Sequence, residues 1–144
     1  MDDPNCIFCK IVAGELPATI VYSDDATVAF MDINPATDGH CLIVTREHAA
    51  TIFELSEAAA ASVMKAALRI AAALKEALKP DGLNLFQSNG KAAFQTVDHF
   101  HLHLIPRWGG DGIRLPWIPR PGDSSKVVLT AAKIAGALEA SGAQ

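Results

Sequence analysis

The chain has 144 residues, half of them apolar and 19% charged, with 12 Lys and Arg against 16 Asp and Glu. That length predicts one compact domain over 1–144, with a loop-rich C-terminal extension from about residue 108. No apolar run reaches the ~18 residues that cross a bilayer, and the acidic opening MDDPNCIFCK lacks the basic-then-apolar order of a signal peptide, so no membrane partner and a cytoplasmic location are expected. A net charge of −4 with scattered basic residues argues against duplex nucleic acid but leaves room for one nucleotide.

In chain order, a short helix or turn is expected over 6–13, ended by Gly14 and Pro17. It carries Cys6-x-x-Cys9, a pair that either binds a metal or does redox work. Residues 20–22 and 27–31 form two short strands around the turn-forming Ser23-Asp24-Asp25, and the apolar run Cys41-Leu42-Ile43-Val44 forms a buried strand. Cys41, inside that run, is expected to be a small buried hydrophobe. From 56 to 79 the period is helical, with Met64, Ala67, Leu68, Ala71, Leu74 and Leu78 on the predicted inward stripe; Ser56 caps the start and Pro80-Asp81-Gly82 the end. Strand character resumes over 83–86. Residues 98–107 alternate His99, His101 and His103 with Phe100, Leu102 and Leu104, predicting a strand with one packed face and one imidazole face. A loop over 109–122 and a last helix from about 130 to 138 complete an α+β pattern with antiparallel strands.

Three histidines on one strand face span roughly 13 Å, so the outer two cannot easily share one ion, and the row is expected to do two jobs. An imidazole titrates near neutral pH and serves as nucleophile, base or hydrogen-bond donor. Gln95 to Ile105, QTVDHFHLHLI, resembles the signature of the histidine triad (HIT) family. CIFCKIVAGELPA, FMDINPATDGHCLIVTREH and the Pro106-Arg107 tail extend the resemblance over roughly residues 6 to 107.

That resemblance implies a five-stranded antiparallel sheet with one long helix and a short N-terminal helix, a homodimer, and a purine nucleotide substrate. It implies cleavage at the α-phosphate of a nucleoside phosphoramidate or dinucleoside polyphosphate. His101 is then the nucleophile that forms a nucleotidyl-histidine, and His103 and His40 are the other catalytic residues. Asp32 falls where relatives hold the ribose hydroxyls, Gln95 and Thr96 in the phosphate loop, and Phe8, Phe30 and Ile33 around the base. Ser88, with Asn89 beside it, stands where relatives carry Asn or Gln, and Phe94 where they carry Gly, departures that bear on leaving-group preference.

Resemblance to the zinc-binding bacterial branch assigns Cys6, Cys9, His48 and His99 to zinc, a set the distant spacing alone does not establish. Four protein ligands would make that zinc structural rather than catalytic. Two other functions are compatible with the sequence: a metal-dependent hydrolase built on His99, His101 and His40, and a nucleotide-binding regulatory module with little turnover.

Overall fold

The computed structural model describes residues 3–142, and the chain divides after Gly112 into two compact units. The first contains helix α1 (Ile7–Val12) and strands β1 (Ile20–Ser23), β2 (Thr27–Met31) and β3 (Cys41–Thr45). Helix α2 (Glu57–Leu78), strand β4 (Gly82–Phe86), a 3-10 turn (Lys91–Ala93) and strand β5 (His101–Arg107) follow. The strands form one antiparallel sheet in the order β1-β2-β3-β5-β4, the α+β architecture expected.

Each element has a local cause. Asp24 builds the β1–β2 turn by accepting the Ala26 and Thr27 N–H groups on Oδ1 and the Tyr22 hydroxyl on Oδ2. Burial pushes its pKa up, but these hydrogen bonds outweigh it and hold the carboxyl at about 2. Ser56 caps α2 by accepting the Ala59 N–H at 3.1 Å, and Lys79 ends the helix in a left-handed conformation ahead of Pro80. The buried stripe of α2 is Ala59, Val63, Ala66, Ala67 and Ile70, whereas Met64 and Leu68 face solvent, so the predicted inward stripe is displaced around the helix axis. Small and β-branched side chains let the helix approach the sheet closely, which the long side chains of Met64 and Leu68 would prevent.

The sheet buries both faces. Against α2 lie Ala29, Cys41, Ile43, Leu102 and Leu104; on the opposite face Val28, Phe30, Leu42 and Val44 pack with Phe8, Cys6 and Cys9 of the N-terminal segment. Complete burial of side chains such as Ile43 and Leu104 contributes about 1.5–3 kcal/mol each. Alternation along β5 therefore sends Leu102 and Leu104 toward α2 and places His101 and His103 on the other face. The strand begins at His101 rather than at 98, and His99 just before it donates its N–H to Val97 O; the alternation nevertheless continues, with Phe100 packed beside Leu102 and Leu104 and the His99 ring on the side of His101, against Phe8.

The loop between β2 and β3 delivers His40. Gly39 has φ +85, which demands glycine, and a Cβ there would also press on the tip of Leu78 and stand 3.2 Å from Pro106 Cγ. Thr37 Oγ1 donates to Pro106 O at 2.6 Å, tying the same loop to the end of β5.

The second unit holds helix α3 (Ser124–Ala140), capped by Asp123, whose Oδ1 accepts the Ser125 and Lys126 N–H groups. It begins well before the predicted start at 130, because the cap initiates the helix despite the β-branched pair Val127-Val128. Among the described residues no helix is long and apolar enough to cross a membrane.

Candidate active site and metal centre

The five histidines separate into two groups, and main-chain hydrogen bonds fix what each ring can do. His101 donates its Nδ1–H to His99 O at 2.6 Å, which leaves the Nε2 lone pair free on a ring that lines a cavity. The Ala36 N–H donates to His40 Nδ1 at 2.9 Å, so the neutral His40 ring carries its proton on Nε2. That Nε2–H lies 2.9 Å from His103 Nδ1 and 3.5 Å from Asp32 Oδ2. Donation to His103 places the His103 proton on its own Nε2, facing outward from the relay. The arrangement is one imidazole with an available lone pair and a second, 5.0 Å away between ring centres, with an available proton.

Burial pushes His40, His101 and His103 below the ordinary imidazole range, with Asp32 opposing the shift in each case. His103 falls furthest, to about 4, because neighbouring His101 and His40 add to the burial. Near neutral pH the rings are uncharged, which a nucleophile and a neutral proton donor both require.

The cavity beside them is mainly apolar. Ile7, Phe8 and Ile11 of α1, Pro17 and Ala18 after it, Phe30 and Leu42 from the sheet, and Val97 form most of its lining; Asp32, Asn34, Thr96, His101 and His103 supply polar atoms. Asp32, Thr96, Phe8, Phe30 and Ile33 line this cavity, Ile33 at a solvent-exposed position. Asp32 also braces its loop, its Oδ1 accepting the Asn34 N–H at 2.8 Å. Ile7, Ile11, Pro17, Ala18, Met31, Asn34, Leu42 and Val97 were not anticipated. For Ile7, Phe8 and Ile11 the signal was present as helical spacing on one face of α1.

Three other predicted binding residues have different geometry. Gln95 Oε1 accepts the Gly90 N–H, and its Nε2 donates to Ala50 O and Val97 O, so the amide knits two loops together. Asn89 Oδ1 accepts the Ile52 N–H, while its Nδ2 pairs with Gln87. Ser88 is buried, and none of the three lines the cavity. Phe94 adopts φ +67, a left-handed conformation uncommon for a bulky side chain, and its ring is exposed.

The second histidine group lies with the cysteines. His99 donates Nε2–H to Thr45 O at 2.8 Å, leaving the Nδ1 lone pair 3.4 Å from Cys6 Sγ, 3.5 Å from Cys9 Sγ and 3.2 Å from His48 Nδ1. Cys9 Sγ lies 3.3 Å from His48 Nδ1. A tetrahedral ion with Zn–S near ~2.3 Å and Zn–N near ~2.0–2.1 Å would separate S from N by about 3.5 Å and N from N by about 3.3 Å. These four ligand atoms fit a single metal ion, and all lie within 4.8 Å of one another. His99, His101 and His40 do not gather around one point: His99 presents its Nδ1 to the cysteines, whereas His101 presents Nε2 to the cavity.

A family profile described as HIT domain matches residues 13–110, and the chain belongs to the HIT family. It is 42% identical over 114 residues to Protein hit of Bacillus subtilis, covering 78% of this chain and 79% of that protein. It is 36% identical over 118 residues to an adenosine 5'-monophosphoramidase of Schizosaccharomyces pombe, covering 81% and 86%. Among solved structures, a HIT family protein from Bacillus anthracis superposes with a TM-score of 0.87 at 39% identity, covering 93% of this chain and 97% of that one. A zinc-bound histidine triad family protein from Mycobacterium smegmatis gives 0.73 at 36% identity, covering 92% and 97%.

Proposed function

We propose that the protein is a nucleotide hydrolase that cleaves a purine nucleoside phosphoramidate at the α-phosphate through a nucleotidyl-His101 intermediate. The observation that carries this reading is the His101 tautomer: Nδ1–H is committed to His99 O, so Nε2 is a neutral nucleophile on a ring facing the cavity. Nε2 attacks phosphorus, the phosphorus–nitrogen bond to the leaving amine breaks, and the amine takes the proton available at His103 Nε2. Water then attacks the adduct and returns a proton to His103 Nε2, the phosphorus–His101 bond breaks, and a nucleoside monophosphate leaves. Asp32 is the proposed acceptor of the ribose hydroxyls, a reading supported by its position on the cavity wall, 3.5 Å from His40 Nε2. The cavity's titratable groups are Asp32, His101 and His103, with no Lys or Arg in its lining. That balance favours a leaving group without further phosphates, and therefore a phosphoramidate over a dinucleoside polyphosphate.

Zinc is the proposed occupant of the cysteine–histidine tetrad, with a structural role because four protein ligands leave no open coordination position. The reducing cytoplasm is the proposed location, since it keeps both thiols available as ligands. A homodimer is proposed through the unpaired edge of β4, where Leu85 and Phe86 are exposed, together with exposed Met64 and Leu68 of α2. The decisive experiment mixes the protein with adenosine phosphoramidate, quenches early and weighs the intact chain. One added nucleoside monophosphate, absent in His101→Asn, is expected. Normal turnover by His101→Asn would overturn the assignment.

A further inference from the structure

The six-residue helix α1 belongs to both sites at once. It is far below the ~12–15 residues at which an isolated helix becomes even marginal. Its flanking backbone bonds close locally, from Cys6 N to Asp3 O, Ala13 N to Cys9 O, Gly14 N to Ile11 O and Glu15 N to Lys10 O. Side chains tie it to the sheet. Phe8 packs edge-on against Phe30, His99 and His101 with ring centres 5.4, 6.0 and 5.2 Å away, and Cys6 and Cys9 turn their sulfurs to His99 and His48. Between and beyond those cysteines, Ile7, Phe8 and Ile11 form part of the nucleotide cavity wall.

We propose that a divalent cation in the Cys6/Cys9/His48/His99 tetrad latches α1 as a wall of the nucleotide cavity, so that metal occupancy sets nucleotide affinity, with Phe8 as the positioning residue between them. This rests on the nucleotide reading given above. The nucleophile touches Phe8, but the hydrogen bonds that orient it lie outside the latch. His99 is held by its N–H to Val97 O and its Nε2–H to Thr45 O, and His101 by its Nδ1–H to His99 O; none of these bonds uses the tetrad nitrogen of His99. Metal loss therefore weakens binding while leaving the chemical step in place, which separates KM from kcat.

The test titrates adenosine monophosphate calorimetrically into the zinc-loaded chain and the chelator-stripped chain, with circular dichroism recording whether the stripped chain is folded. An affinity about tenfold lower without zinc is expected, with KM for the phosphoramidate raised by a similar factor and kcat nearly constant. In Phe8→Ala, zinc removal should add little further loss, because the wall has already been detached from the latch. Full, additive losses in that variant would overturn the coupling, as would equal affinities of folded loaded and stripped protein or a fall in kcat at constant KM. If the stripped chain unfolds, the reciprocal measurement applies to the loaded protein: adenosine monophosphate should tighten zinc against a chromophoric chelator by the same factor. Zinc affinity unchanged by a nucleotide that binds would overturn the latch alone. A loaded protein that binds no nucleotide would overturn the nucleotide reading and the latch with it.

Discussion

His99 and His101 are two residues apart, buried to nearly the same extent and both bonded to main-chain oxygen, yet they belong to different sites. His99 gives its Nε2 proton to Thr45 O and keeps the Nδ1 lone pair for the cysteine side; His101 gives its Nδ1 proton to His99 O and keeps Nε2 for the cavity. The difference lies in which ring nitrogen the backbone engages. The same residue type, within one short segment, thus turns one free ring nitrogen to the cysteines and another to the cavity.

The severest way to break the comparison is to remove the free Nε2. His101→Asn should lower turnover on the order of 10⁴-fold or more in a steady-state phosphoramidate assay and abolish the covalent adduct, while zinc content measured by elemental analysis stays at one ion per chain. Leu104→Ala attacks the support shared by both groups. This fully buried side chain on β5 should cost about 2–5 kcal/mol in denaturant unfolding, with zinc retained below the transition. His40→Gln interrupts the relay at its inner end and should slow the chemical step about 10²-fold in single-turnover kinetics, with adduct formation still detectable.

The smallest effect sharpens the picture by pH. His103 has a folded pKa of about 4, below the ordinary imidazole value of 6.5. A lowered histidine contributes its stability in full above the unfolded value and loses it as pH falls toward the folded one, because the unfolded chain takes up the proton first. The unfolding midpoint should therefore decline between about pH 6.5 and 4, and His103→Gln should flatten part of that slope. Activity should follow the same logic, with the acid limb of kcat/KM lying below 6.5.

Much of the fold was legible because its causes are side-chain patterns. Ser56 and Pro80 bracket α2, the run Cys41 to Val44 marks a strand buried on both faces, and Gly39 marks the turn that presents His40. The histidine row was legible only in part. Period-2 spacing put His99 on the face of His101 and His103, where its ring lies against Phe8, but the spacing did not reveal that the strand itself starts only at His101. The groups that settle the tautomers are the carbonyls of Thr45 and His99 and the N–H of Ala36, which every residue type could supply, so no residue identity announces them. Gln95 and Asn89 were visible as polar loop residues, but not the fact that their amides are engaged within the loops. The rotation of the α2 stripe away from Met64 and Leu68 follows from close packing of alanines, which a count of apolar positions does not register.

Cys41 gives the chain an internal standard. It is 1% exposed beneath α2, and burial raises its thiol to about 11, so it resists alkylation in the native state whatever happens at the N-terminus. Cys6 and Cys9 are the only other thiols in the sequence. Reagent consumed before unfolding thus reports the fraction of molecules whose sulfur pair is unshielded, and the increment released by denaturant calibrates that reading within the same sample.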